Sequence, residues 1–234
     1  MPCCCEKKSS RESADDTLDW AVVAGLLALS FVPVAAGIFR LGQLAGGSAV
    51  TPENARFFAA PWPVVIHIVS TVVYCLLGAF QFMPSLRNRN PGWHRAAGQV
   101  IVASGLLVSL TGVLMTLSYP SIEFDSDILY VIRLVVGSAM AICLCLGVAA
   151  IRRHDIFHHQ AWMMRGYALG LGAGTQVLTH LPSLMFSGIH GEAAKTFSMA
   201  AGWVVNLAVA EVLISRRKKI RPDLTDGQTA DPLK

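Results

Sequence analysis

Six long apolar stretches separated by short polar or basic connections set the pattern of this chain. They fall at residues 20–39, 62–83, 96–118, 128–151, 162–187 and 196–214. A hydrocarbon core of about 30 Å is crossed by about 20 apolar residues in an α-helix, and each stretch meets or approaches that length. The runs are continuous, without the alternation of a barrel strand. The pattern predicts an all-α polytopic membrane bundle with six transmembrane helices. Pro33 should kink the first of them. Residues 1–19 are polar and Arg40 and Gly42 follow the first stretch, so it reads as a retained span and not a signal peptide. The expected organisation is a cytoplasmic tail at 1–19, a six-span domain at 20–215 and a second cytoplasmic tail at 216–234. In the 41–61 loop, Gly46-Gly47 and then Thr51-Pro52-Glu53 predict a turn followed by a short interfacial helix.

Composition supports this class. Apolar residues make up 53% of the chain and charged residues 15%, against about 25% charged in soluble domains. A soluble six-helix bundle could not cover its surface with so little charge. The basic residues then orient the spans. Lys7, Lys8 and Arg11 precede the first, Arg87, Arg89 and Arg95 lie between the second and third, Arg152, Arg153 and Arg165 surround the fourth–fifth gap, and Arg216–Arg221 follow the sixth. The alternate loops carry only Arg40, Arg56 and Lys195, while the third–fourth loop holds Glu123, Asp125 and Asp127. Basic loops stay in the cytoplasm, so both termini are expected inside, at the plasma membrane. The net charge of +4 belongs to these loops and implies no nucleic-acid partner. The expected partner is the lipid bilayer, and no motif identifies a redox or membrane-protein partner. Cys3, Cys4 and Cys5 would face a reducing compartment, and Cys75, Cys143 and Cys145 read as buried apolar residues within spans.

The middle of the chain repeats itself. Spans two and three form a hairpin around 87–95, and spans four and five form one around 152–160. A four-helix core of spans two to five, flanked by the outer two, follows from this echo. On a helical wheel His67, Ser70, Thr71, Tyr74, Gly78 and Gln81 fall within roughly 60°. Such a stripe belongs inside the bundle, either as interhelical hydrogen bonds or as a polar cavity. His94, Gly98, Gly105 and Gly112 share a face of the third span within about 40°, which admits a helix backbone or a flat ring. Gly166, Gly170 and Gly174 give the fifth span small-xxx-small spacing for helix packing.

Depth sorts the histidines into two levels, His67 with His180 near the outer ends and His94 with His158/His159 near the inner ends. From His159 to His180 is about 30 Å at 1.5 Å per residue. Imidazoles from facing helices ligate haem iron axially, so His67 with His180, and His94 with His159, are candidate ligand pairs for two haem b groups. Arg133 is placed to meet a propionate, or to pair with Asp125 or Asp127. Arg95 and Arg165 should hold a phosphate, a propionate or helix-end carbonyls at the inner interface. Glu211 is expected to pair with Arg216 and Arg217. His154 and His158 have the i, i+4 spacing of a cytoplasmic metal site, and His190 lies in an outside loop as a residue expected to be dispensable. No phosphate loop, zinc-protease helix or serine nucleophile motif is present. The alternatives to a haem-bearing electron carrier are a small-molecule or lipid-binding carrier using the His67–Gln81 stripe, and a non-catalytic subunit of a larger complex.

The loops carry a resemblance. His67, His94-Arg95-Ala96-Ala97-Gly98 and His159-x-x-Trp162-Met163-Met164-Arg165-x-Tyr167 resemble the domain-of-unknown-function 2306 family of predicted membrane proteins, over roughly 61–217. That family pattern has an arginine where this chain has Gln176, and it does not include His180. The resemblance implies a polytopic membrane protein and no particular reaction. More loosely, the arrangement is similar to the diheme b-type transmembrane cytochromes, which carry ligand histidines at two levels of a four-helix core.

The topology has a direct check. Cysteines placed near Pro120 should react with an impermeant thiol reagent from outside intact cells, and cysteines near Asn88 only after permeabilisation. Labelling of both from the same side would defeat the six-span arrangement.

Overall fold

The computed structural model describes residues 3–121, 125–185 and 191–220. All regular structure among them is α-helical, and the chain is an integral membrane protein. It divides into two compact units, Met1–Ile122 and Glu123–Lys234. The first contains α1 (Cys3–Ala45), α2 (Ala55–Ala59), α3 (Pro61–Gln81), α4 (Pro84–Arg89) and α5 (Pro91–Ser118). The second contains α6 (Asp127–Arg152), α7 (Ile156–Gly170), α8 (Gly172–Thr179), α9 (Leu181–Met185) and α10 (Glu192–Ile220). Five helical segments, Asp16–Ala45, Pro61–Gln81, Pro91–Ser118, Asp127–Arg152 and Glu192–Lys219, are each long and apolar enough to cross a bilayer. Their outward faces carry side chains such as Phe31 (69% exposed), Trp62 (73%) and Phe197 (75%). Water would penalise such faces, whereas hydrocarbon accommodates them.

Two expectations change. The first helix begins at Cys3, so most of the expected polar tail continues the helix, which also runs on past Pro33. The stretch at 162–187 is not a single helix. It begins earlier, at Ile156, breaks at Leu171, and continues as the short helices α8 and α9.

In the first unit α3 and α5 form a hairpin, and α1 packs on α3. Prolines at the first positions of α3, α4 and α5 suit sites where no intrahelical N–H bond is available. The Asn90 side chain caps α5 by accepting from Trp93 N at 3.3 Å. The connecting α4 is tied to α1: Ser85 N donates to Asp19 at 3.0 Å, and Arg89 pairs with Asp16 at 2.9 Å. Val23, Ala79 and Met83 form the buried cluster there, with Leu26, Leu27, Phe80 and Leu86 packed around it. At Gly37 of α1 a Cβ would stand 2.9 Å from Ile68 Cγ2, so the missing side chain allows α1 to lie close on α3. The expected loop helix is present as α2, after a turn at Gly46-Gly47 in which Gly47 has φ +63.

In the second unit α6 and α7 form the hairpin, and α10 packs along α7 and α8. Gly166 sits against Leu144, and Gly147 against Met163. The break at Leu171 is fitted to α10. A Cβ on Gly172 would lie 2.2 Å from Cδ1 and Nε1 of Trp203, so the indole occupies the place of a side chain. Asn206 Nδ2 donates to Ala168 O at 3.1 Å, the carbonyl that the amide of residue 172 takes in an uninterrupted helix. Thr175 donates its hydroxyl to Asn206 Oδ1 at 2.6 Å, and Gln176 Nε2 and Thr179 Oγ1 donate to Met199 O and Ser198 O at 3.0 and 2.6 Å. At the start of α6, Arg133 forks onto both oxygens of Asp125 at 2.9 and 3.0 Å, and Lys195 joins the same carboxylate at 2.8 Å.

Two outcomes follow from this packing. Gly172→Ala should destabilise the protein in detergent by about 1–3 kcal/mol through overpacking, while Gly42→Ala, which meets nothing within 4 Å, should be neutral or slightly stabilising. Equal thermal midpoints for the two variants would remove the special fit at Trp203. Asp125 supplies a pH signature. Burial opposes its charge, but hydrogen bonds and charge from Arg133 and Lys195 outweigh that and hold its pKa at about 2, below the ordinary 3.8. A depressed folded-state pKa stabilises fully above the ordinary value, and the contribution is lost as pH falls towards about 2. The thermal gap between the protein and Asp125→Asn should therefore be constant near neutrality and close between about pH 4 and pH 2.

Candidate functional site

The polar stripe of α3 faces the interior of the first unit. Ser70, Tyr74 and Gly78 are buried, whereas Ile66, Val69 and Leu76 on the other side are exposed. His67 Nδ1 lies 3.0 Å from Thr111 Oγ1 on α5. Thr111 donates its own proton to Leu107 O, so its oxygen accepts from His67. The ring therefore carries hydrogen on Nδ1 and a lone pair on Nε2. It rests against Gly112, whose Cβ position would be 3.5 Å from His67 Cε1, and Gln81 Oε1 lies 3.8 Å from the corresponding point at Gly98. The glycine strip of α5 thus receives the polar side chains of α3. Two buried atoms on this stripe, Thr71 Oγ1 and Gln81 Nε2, have no hydrogen-bond partner. His94 is half-buried in the first turn of α5, with Arg95 exposed beside it.

The second unit repeats the tautomer. His159 Nδ1 donates to Gly147 O at 2.8 Å, joining α7 to α6, and His180 Nδ1 donates to Gln176 O at 2.7 Å at the end of α8. A carbonyl only accepts, so a neutral ring at either position has its lone pair on Nε2. His67 and His94 belong to the first unit and His159 and His180 to the second, so each expected ligand pair draws one residue from each unit. His190 and Glu123 lie outside the described residues.

Other expected partners differ. Arg165 forks onto Glu211 at 2.5 and 2.9 Å and stacks over Trp162 at 4.6 Å. Glu211 therefore pairs with α7 and not with Arg216 or Arg217, which lie about 140° and 120° around the α10 axis from it. Arg217 instead reaches Gln160 at 3.4 Å. Arg133 is engaged by Asp125. His154 stands outside α7 in a left-handed turn (φ 61), so the His154/His158 spacing is not that of two residues on one helix. The turn serves Asp155, which caps α7 by accepting from His158 N at 3.0 Å and meets the His158 ring at 2.7 Å. The backbone bond from His158, opposed by slight burial and aided by the ring, holds the Asp155 carboxyl below the ordinary range. Among the described residues no three His, Cys, Asp or Glu side chains gather at one point. Hydropathy reading passed over Thr111 and Asn206, although an amide inside an apolar span is itself a signal.

The family described as predicted membrane protein (DUF2306) matches residues 64–214. No curated protein and no solved structure matches the chain. The family match starts within α3, ends within α10 and takes in His67, His94, His159, His180 and both forked arginines. It covers well over half of the chain, and with the helices and motifs above it places this protein in the DUF2306 family of predicted membrane proteins.

Proposed function

We propose that this protein is a membrane electron carrier that ligates haem b through imidazole Nε2 atoms, with both termini in the cytoplasm at the plasma membrane. The observation that carries the reading is that Nδ1 of His67, His159 and His180 each lies within hydrogen-bond distance of an oxygen, which leaves Nε2 of a neutral ring free to ligate. Iron-ligating histidines donate the other ring N–H to a protein acceptor, which fixes the ring and raises its basicity. Haem supplies one-electron redox chemistry, and the helices set its burial and potential. Each of the three imidazoles already has its Nδ1–H committed, to a threonine hydroxyl or a backbone carbonyl. His94 remains the fourth candidate, and Arg95, Arg133 and Arg165 the candidate propionate contacts. Arg133 and Arg165 would have to share their guanidinium groups with Asp125 and Glu211, but a guanidinium has five donors and each fork uses two of them.

A second reading rests on a different observation. The unpartnered Thr71 Oγ1 and Gln81 Nε2 are groups that a bound polar molecule would satisfy, since a buried polar atom without a partner costs about 1–3 kcal/mol. Thr71 stands one turn from His67, so a hydroxyl and an imidazole lone pair share that face. On this reading the first unit binds a small polar or lipid-like molecule.

Spectroscopy separates the two. Protein purified from haem-supplied cells should show a Soret band and a reduced-minus-oxidised b-type spectrum. His67→Ala and His159→Ala should each remove a part of it, roughly half if two haems are held. His158→Ala, whose ring is exposed and bound to Asp155, should leave it unchanged. A folded preparation without Soret absorbance would end the haem reading and leave the polar face of α3 as the leading one.

A further inference from the structure

The charge pattern leaves three basic residues at the less basic ends of the spans: Arg40, Arg56 and Lys195. Lys195 answers Asp125. The other two converge on one phenyl ring. Arg40 Cζ lies 4.8 Å and Arg56 Cζ 4.7 Å from the centroid of Phe57. Both are cation–π distances, and they place the two charges within about 10 Å of each other, where like charges repel. The ring is itself held, edge to face with Tyr119 at 5.6 Å, while Tyr119 donates its hydroxyl to Ala60 O at 2.6 Å. The loop that presents Arg56 is built around buried Asn54, which accepts from Thr51 N at 2.7 Å and donates to Ala49 O at 3.1 Å. Arg40 is steadied by Gln43 Oε1 at 2.6 Å through one of its terminal nitrogens. Together these fix a half-buried pair of planar cations where α1 ends, α3 begins and α5 ends, at a membrane boundary of the first unit.

We propose that Arg40 and Arg56 form a binding site for the phosphate of an anionic phospholipid headgroup. Guanidinium groups recognise phosphate through paired N–H···O bonds of about 2.8 Å, and an anion bound to both would offset the repulsion between two like charges held on one ring. The position at the end of three membrane helices favours a lipid over a soluble anion, because the acyl chains of a bound lipid would lie along the exposed apolar flanks of the same helices. The site needs no haem and does not depend on the orientation of the termini.

The test uses the full chain in detergent with dioctanoyl phosphatidylglycerol, dioctanoyl phosphatidylcholine or inorganic phosphate, read by thermal midpoint and by native mass spectrometry. The phosphatidylglycerol should raise the midpoint and give a retained adduct at concentrations at least tenfold below those needed for the phosphatidylcholine. Arg40→Gln and Arg56→Gln should each abolish that preference, and Arg40→Lys should keep part of it. Lys218→Gln, in the basic run at the end of α10, should keep all of it. Midpoints of the variants without added lipid show whether they fold, and Arg40→Lys tests the site even where a glutamine variant does not. Equal responses to the two lipids, a full preference in both glutamine variants, or a phosphate response matching that of the phosphatidylglycerol would each overturn the lipid site. The last of these outcomes would reassign the arginine pair to a free anion.

Discussion

Hydrocarbon offers no water to a backbone carbonyl, and this constraint governs the least regular part of the molecule. A helix that breaks at membrane depth must find other partners for the groups it frees. Here α10 supplies one for Ala168 O. Asn206 spans the break, bonding Ala168 on the α7 side and Thr175 on the α8 side. The backbone of α10 then accepts from Gln176 and Thr179. Gly172 is the steric counterpart of these bonds, because the Trp203 ring fills the space a side chain would take. Hydrogen bonding and close packing therefore select the same neighbour, and the interruption is a docking feature of α10 rather than a weakness of α7.

The same constraint acts on charge. Arg133 sits nearly two turns into α6, and it forks onto Asp125 in the preceding loop, which Lys195 also reaches. Arg165 in α7 is answered by Glu211 in α10 and lies over Trp162. Both of these arginines are thus paired with an opposite charge, in keeping with the cost of an isolated charge in hydrocarbon. Pairs of this kind do not exclude a functional role, but any anion that approaches either arginine competes with a carboxylate already in place.

Much of this was legible in the linear pattern, and what was not has a common cause. Apolar run length located the five helices that are long and apolar enough to cross a membrane, because one hydropathy window contains the information needed for each. The period of α3 located its polar stripe, and burial of Ser70, Tyr74 and Gly78 agrees with that reading. Gln81 and His67 of that stripe lie over Gly98 and Gly112 of α5, at ordinary contact distance from where a Cβ would stand. The break in α7–α8 was invisible because its determinants, Trp203 and Asn206, are some thirty residues away, and Gly166, Gly170 and Gly174 look like ordinary packing glycines. The partner of Glu211 was misjudged for a related reason. Nearness in sequence favoured Arg216 and Arg217, while the turn of the helix directs Glu211 to another element.

The histidines show how the two functional readings share one physical basis. Each of His67, His159 and His180 has its Nδ1 proton held by an oxygen that cannot or does not give one back, so Nε2 is left with a lone pair. In hydrocarbon that lone pair is a demand as well as an opportunity. It is answered by a metal, by a proton donor on a bound molecule, or by a proton. For His67 the nearby Thr71 hydroxyl, itself without a partner, adds a second polar group one turn along α3, which suits a small ligand as well as it suits the surroundings of a ligated imidazole. His159 differs, because its carbonyl partner lies on the facing helix α6. That bond fixes the ring relative to two helices at once, which is the rigidity an axial ligand requires. His159 is therefore tied to a facing helix, whereas His67 shares its face of α3 with an unpartnered hydroxyl.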